Sequence, residues 1–465
     1  MAWTFLIPVL YWLYLALTTT MVVKYDAAEY EKLASTIYHD GWTGFFKFKP
    51  YNVALYPFLI SLSMRLADLL GVPYAAVQTA VQILFLLAAQ ILLYKTLKCL
   101  GVGQNILAAT LLYFGFSPAF VNSAFSLYCE IITYPLVLGV IILSVAAWQE
   151  VRTKHYPRLM IRGIQLAALF LLLSLVRQVN EYVLVFYVLT LFCLSLKFLA
   201  TRNFKTFING LLLTVTIFGV YHLSLTPYKA MNYKYNGYKS LTAVGSESLY
   251  ANAKGRTQPL TTNNILTFLA FVPGERVCAK IFSAEECSFW GDENIHVLGP
   301  NKTKELQAQG VANDKIDALL REAAVKSVLS HPLQYAFLTA AEGLKMVFWE
   351  STRIGFVHYP HWLETLFEWE LLRNGLRLLI FFVTLATLAF SVYYVLRYRN
   401  DLSGPSVQKS MVYSVYLFCL VIILANIVLH APFLIATRYA LPIAPLYLML
   451  TALNAQHICA KRRTP

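Results

Sequence analysis

Apolar stretches recur along this chain at about the length of a bilayer-spanning helix, and that pattern leaves few folds open. A segment crossing hydrocarbon must satisfy every backbone polar group internally, as an α-helix does. The candidate spans are 3–22, 74–94, 104–121, 131–149, 163–176, 181–196, 206–226, 373–395, 411–430 and 439–458. The expected fold is an all-α polytopic membrane protein with about ten transmembrane helices, external interfacial helices and a small mixed external domain. Composition agrees, since 13% of the residues are charged against about 25% in soluble proteins. The run from Trp3 to Val23 lacks a basic n-region and a small-residue cleavage site. It therefore reads as the first span and not as a removable signal peptide.

Charge sets the expected orientation. With the N-terminus in the cytoplasm, five segments face inward. They carry Lys95 and Lys98; Arg152, Lys154, Arg158 and Arg162; Lys197, Arg202 and Lys205; Arg397, Arg399 and Lys409; Lys461, Arg462 and Arg463. These 15 basic residues face only two acids, Glu150 and Asp401. The short outward connections hold two basic residues, Arg177 and Arg438. This is a positive-inside distribution with both termini cytoplasmic. It accounts for nearly all of the net charge of +14, so the basic balance calls for no nucleic-acid partner. Residues 53–70 are apolar enough to span, but a span there would turn every later basic loop outward. Ser61, Arg65 and Asp68 also form a polar stripe at helical spacing, and the segment reads as a helix in the outer interface.

Three parts follow. An N-terminal membrane module, 1–226, has seven spans and a first external loop, 23–73. A large external domain occupies 227–372, and a C-terminal module, 373–465, has three spans. In the first loop Tyr30, Leu33, Ala34 and Ile37 recur as one face of a helix, and Asp40-Gly41 marks a turn. The large loop opens on a Tyr/Lys/Asn-rich run. Between Tyr228 and Glu370 it has 14 basic and 15 acidic residues, the balance of a small folded domain. Residues 315–350 read as helical with a break at His331-Pro332. The sequon Asn301-Lys302-Thr303 is external in this topology.

Cys99, Cys129, Cys193, Cys419 and Cys459 lie in or beside spans as small apolar residues. Cys278 and Cys287 are the pair in the large external loop and are candidates for a disulfide on an oxidising face. No metal motif is present. His358 and His361, three apart, fit a loop or helix-capping role better than a metal site.

Ionisable residues at span ends are expensive and are functional candidates. Asp26 follows the first span, Glu130 opens the fourth, and Arg177 and Arg438 stand at outer ends. Glu181, one turn beyond Arg177, is a candidate partner for it. All four candidates fall at one membrane depth. Two carboxylates and two guanidiniums suit a reaction on an anionic lipid. Arginine holds phosphate bidentately, and a carboxylate can take a proton from an attacking hydroxyl. Two structural ion pairs closing the bundle account for the same residues.

The order of short motifs adds to this. Asp26-Ala-Ala-Glu-Tyr30 is followed by Lys49-Pro-Tyr-Asn-Val-Ala-Leu-Tyr-Pro57, Ser117-Pro-Ala-Phe with Glu130, Arg177, His331-Pro332-Leu-Gln-Tyr335 and Arg438-Tyr-Ala-Leu-Pro442-Ile-Ala-Pro445. The series resembles the glycosyltransferase-C superfamily, in particular the protein O-mannosyltransferases and the bacterial aminoarabinose transferases. The resemblance implies transfer of a sugar from a polyprenyl-phosphate carrier to an acceptor lipid, glycan or protein on the periplasmic or lumenal face. It implies that Asp26 and Glu130 are catalytic and that Arg438 binds the donor phosphate, a role that the placement of charge also offers Arg177. A divalent cation stays open as a cofactor. The expected location is the bacterial inner membrane, with the endoplasmic reticulum membrane as the alternative. The chain departs from the family where Tyr-Asn-Val-Ala-Leu replaces a Pro-Pro-Leu-type run, and in having fewer spans than several relatives. Single displacement would invert the anomeric centre through an oxocarbenium-like transition state. Trp42, Phe45, Phe46 and Phe48 fit an interfacial aromatic belt and also a stacking surface. A transporter or lipid flippase would usually show inverted repeats, which are absent. A polysaccharide polymerase or ligase would not require an acid directly after the first span.

Overall fold

The computed structural model describes residues 2–461 apart from 49, 51, 154–155, 243–244, 289, 291, 353–355, 400–405, 434 and 436. Lys49, Tyr51, Lys154, Asp401, Arg462 and Arg463 lie outside the described residues. The chain begins with α1 (Trp3–Thr18), a short strand β1 (Thr20–Met21), α2 (Asp26–Lys47) and α3 (Leu55–Leu70). A run of membrane helices follows: α4 (Tyr74–Cys99), α5 (Gln104–Phe116), α6 (Pro118–Phe125), α7 (Glu130–Thr153), α8 (Tyr156–Val176), α9 (Val179–Ala200) and α10 (Phe204–Asn236). The large loop contributes α11 (Gly245–Arg256), α12 (Thr262–Phe271), α13 (Glu275–Cys278), α14 (Ala284–Ser288), α15 (Asp292–Ala308), α16 (Asn313–Ser330), α17 (Pro332–Gly343), strand β2 (Val357–His358) and α18 (His361–Glu368). The membrane helices resume with α19 (Glu370–Arg397), α20 (Val407–His430) and α21 (Ala444–Lys461).

The protein is an all-α polytopic membrane protein. Among the described residues eight helices are long and apolar enough to cross a bilayer, and α5 with α6 makes a ninth, bent by 43°. The expected first span, α1, is an apolar helix of only 16 residues, roughly 24 Å at 1.5 Å per residue. The interfacial segment forms α3, which packs against α2 and α4. Its stripe is only partly solvent-facing, because Ser61 is buried and donates to the Phe58 carbonyl at 2.7 Å.

Three local expectations change in the structure. The seventh span runs through Pro227 to Asn236, so the polar run after it starts as helix. Asp40-Gly41 is a kink within α2, where Gly41 takes φ 67°, a conformation glycine adopts without steric penalty. The large loop is helical where a mixed domain was expected. Its strand β2 pairs antiparallel with β1, tying the exit of α1 to the segment before α18.

Helix α7 sits at the centre, against α4, α8 and α20. Apolar residues run all round it, from Ile131 through Trp148, and most of them are buried, as expected of a helix with no polar face. Small residues let neighbours close on α10. A Cβ on Gly163 of α8 would lie 2.8 Å from Thr216, and one on Gly210 would collide with Ser195 of α9.

The break between α5 and α6 has a chemical cause. Pro118 has no N–H to donate and bends the chain. The freed groups are satisfied from far away, as buried backbone within a membrane requires. Trp12 Nε1 donates to the Gly115 carbonyl at 2.8 Å. The Ala119 N–H donates to Glu350 at 2.9 Å, and the Ser117 and Tyr113 hydroxyls donate to the same carboxylate at 2.6 and 2.5 Å. Glu350 is fully buried. Burial pushes its carboxyl above the ordinary range, against the pull of these three donors.

Candidate functional site

Each candidate residue stands where a helix begins or ends. Asp26 is the first residue of α2. It is aimed by Tyr25, whose φ of 51° is a left-handed conformation unusual for a bulky side chain. That turn is held on both sides: the Val22 N–H donates to the Phe356 carbonyl at 2.9 Å, and the Tyr25 and Phe356 rings lie 5.6 Å apart. Glu130 is the first residue of α7. Arg177 occupies the tight turn between α8 and α9, with its N–H bonded to the Leu173 carbonyl. Arg438 lies in the 3₁₀ turn Thr437–Ile443 that leads into α21.

The fold brings all four to one cavity of about 210 Å³. Arg438 pairs with Asp26 across 412 residues of sequence. Arg177 pairs with Glu130 at 2.6 Å. The expected alternative partner for Arg177 is corrected: Glu181 pairs with Lys229 instead, because Lys229 on the extended α10 reaches it. One ring joins the two guanidiniums, since Tyr439 lies 4.7 Å from Arg177 and 5.7 Å from Arg438. A second ring, Tyr128, lies 4.7 Å from Arg438. Such cation–π contacts fix the planes of the guanidiniums.

Exposure separates the two ion pairs. The Glu130 and Arg177 side chains are 2% and 14% exposed, whereas Asp26 and Arg438 are 48% and 21% exposed. Burial opposes the charge on Arg177, but the adjacent Glu130 carboxylate overcomes it and raises the guanidinium pKa. Behind this pair a donor chain closes the site. Tyr30 donates to the Cys129 sulfur at 3.2 Å, and Cys129 donates to Glu130 at 3.7 Å. Burial, with Glu130 beside it, pushes the Cys129 thiol up to about 11, and burial holds Tyr30 well above its ordinary value. Both therefore stay protonated and neutral at pH 7, and neither is an activated nucleophile.

His430 also lines the cavity and is absent from the sequence-based candidates. Its Nδ1 lies 2.8 Å from the Asn426 carbonyl. A carbonyl only accepts, so Nδ1 carries the proton and Nε2 of the neutral ring is an acceptor. Nothing in sequence separates this histidine from any other at the end of a span. A cavity of about 1190 Å³ lies elsewhere and includes none of the four ionisable candidates.

Among the described residues no group of three or more His, Cys, Asp and Glu is placed to hold a metal. Asp26 and Glu130 each face a guanidinium, a neighbour that repels a cation, so the pair does not make a cation site. His358 is exposed and 3.8 Å from Glu364, and His361 opens α18. Cys278 and Cys287 are joined as a disulfide with Cα atoms 5.9 Å apart, buried beside Phe268, Trp290 and Leu338.

No family model matches the chain, and no curated protein sequence matches it. Among solved structures it is similar to the archaeal oligosaccharyltransferase AglB from Archaeoglobus fulgidus, determined in complex with an inhibitory peptide and a dolichol-phosphate. The identity is 12% and the TM-score 0.44, over 93% of this chain and 46% of that one. The chain thus spans about half the length of the structure it matches.

Proposed function

We propose that this protein is an integral membrane glycosyltransferase that moves a sugar from a polyprenyl-phosphate carrier to an acceptor on the outer or lumenal face. The observation that carries the reading is the meeting of Asp26, Glu130, Arg177 and Arg438 at one cavity. The site draws three of these residues from the N-terminal membrane module and one from the C-terminal module.

The chemistry follows from the two pairs. The acceptor hydroxyl attacks the anomeric carbon, and its proton passes to the Asp26 carboxylate. The bond from the anomeric carbon to the phosphate oxygen breaks, and the carrier leaves as polyprenyl phosphate with the bonding electrons. One displacement inverts the anomeric centre. Arg438 meets the charge that develops on the leaving phosphate. Asp26 holds Arg438 in the free protein, so an arriving phosphate competes for that guanidinium. Releasing Asp26 frees its carboxylate oxygens to accept a hydrogen bond from the acceptor hydroxyl, which couples donor binding to placement of the base. Glu130 and Arg177 are too enclosed to exchange partners easily, and they hold the floor of the site.

The test measures donor binding and sugar transfer separately on Asp26→Asn. Transfer is expected to fall at least about 10²-fold, the scale of losing a general base. Donor binding is expected to persist or tighten, because Arg438 loses its competitor. Transfer at the unmodified rate would assign both pairs to holding the bundle together.

A further inference from the structure

A second cavity, of about 1190 Å³, lies between the turn after α12, the segment around Phe348 and Phe356, and the outer end of α19. It shares no lining residue with the small cavity. Arg373 and Arg377 stand one helical turn apart on α19 and both face it. Like charges at this spacing repel unless something neutralises them. The carboxylate nearest Arg373 is Glu370 at 3.9 Å, and Glu370 is already taken by Lys280. Arg377 forms no hydrogen bond or ion pair with any described residue, and its Nε is buried without a partner. Its guanidinium lies 5.7 Å from the Phe348 ring and close over Gly274, where an added Cβ would sit 3.2 Å from Nη1. Glu275 and Glu364 also line the cavity, and among the described ion pairs neither meets Arg373 or Arg377. The lining as a whole carries Arg276, Lys280, Lys345, Arg373 and Arg377 against Glu275, Glu364, Glu368 and Glu370, so the call for an anion is local to the Arg377 guanidinium, whose Nε no described group meets. A buried guanidinium donor left unpaired is costly and calls for an anion.

The same helix connects this site to the bilayer. Leu378 lines the cavity and is 50% exposed; Leu379 beside it and Phe382 one turn on are 60% and 62% exposed. A charged cavity therefore opens onto the apolar face of a span, as a ligand with an anionic head and an apolar tail requires. We propose that this cavity binds the phosphate head group of a phosphomonoester lipid, with Arg373 and Arg377 on the phosphate and the chain along Leu378, Leu379 and Phe382. Two forked guanidiniums match the charge and oxygen geometry of a phosphomonoester.

The full chain in neutral-detergent micelles tests this with short-chain phosphatidic acid, phosphatidylcholine of the same chain length and inorganic phosphate. Phosphatidic acid is expected to raise the melting temperature, as any ligand of the native state does. The two controls should have little effect. Arg377→Gln and Arg373→Gln should each weaken phosphatidic acid binding at least about tenfold, the scale of losing one charge-assisted contact. An unchanged affinity in both variants overturns the site, and an equal shift with inorganic phosphate overturns its lipid character. A second measurement uses the unmodified chain. Phosphatidic acid with a photoreactive group in its chain should label residues 378–382, and labelling confined to other helices rejects the placement. Neither measurement involves sugar transfer, so this proposal and the transferase reading can fail independently.

Discussion

Asp26 and Glu130 are both carboxylates paired with arginines, and burial gives them different parts. Removing Arg177 strips the enclosed Glu130 of its ion-pair partner, and breaking a buried pair destabilises a protein by about 3–5 kcal/mol. Removing Arg438 leaves Asp26 half open to water, where an ion pair contributes no more than ~1 kcal/mol. Arg177→Ala is therefore expected to lower the melting temperature in micelles and to lose transfer through the fold. Arg438→Ala should melt close to the unmodified protein yet bind donor more weakly and turn over more slowly. Melting curves and donor titrations on both variants check this. Equal destabilisation would remove the distinction between a structural and a phosphate-binding arginine. These four residues are legible in sequence because a charge at the end of an apolar span has a transfer penalty that must be answered. His430 and Glu350 are not legible. One is an ordinary histidine until the Asn426 carbonyl sets its tautomer, and the other is an ordinary loop glutamate until the α5–α6 break closes around it.

At the scale of an element, the bent α5–α6 pair is closed by Glu350. Three described donors from that pair, the Tyr113 and Ser117 hydroxyls and the Ala119 N–H, converge on it. Glu350→Ala would leave them buried without an acceptor, at about 1–3 kcal/mol each. The variant is expected to melt well below the unmodified chain, and Glu350→Gln, which keeps one acceptor oxygen, should fall in between. Melting of the two variants in the same micelles decides it. If Glu350→Ala melts normally, water or another side chain closes the break. Ser117-Pro118 announces a break in sequence, since proline cannot continue the ladder. The residue that closes it lies 233 positions away from Ser117.

Over the whole molecule, the distribution of basic residues predicts the orientation of the chain. Cysteines introduced near Asp40 and Asn301 should be labelled from outside by an impermeant reagent. Ones near Arg158 and Arg397 should not, and external labelling at Arg158 would reverse the topology. What the sequence by itself determined is the class of fold, most of its spans and the residues whose charge is out of place. Insertion depends on the summed transfer free energy of a local window, and a window can be read without its neighbours. Only the tertiary structure decided which charge meets which. Asp26 finds Arg438 across 412 residues, and Arg177 takes Glu130 while Glu181 goes to Lys229. Those choices depend on which helix ends pack side by side around α7, a non-local outcome of shape and close approach that no single window contains.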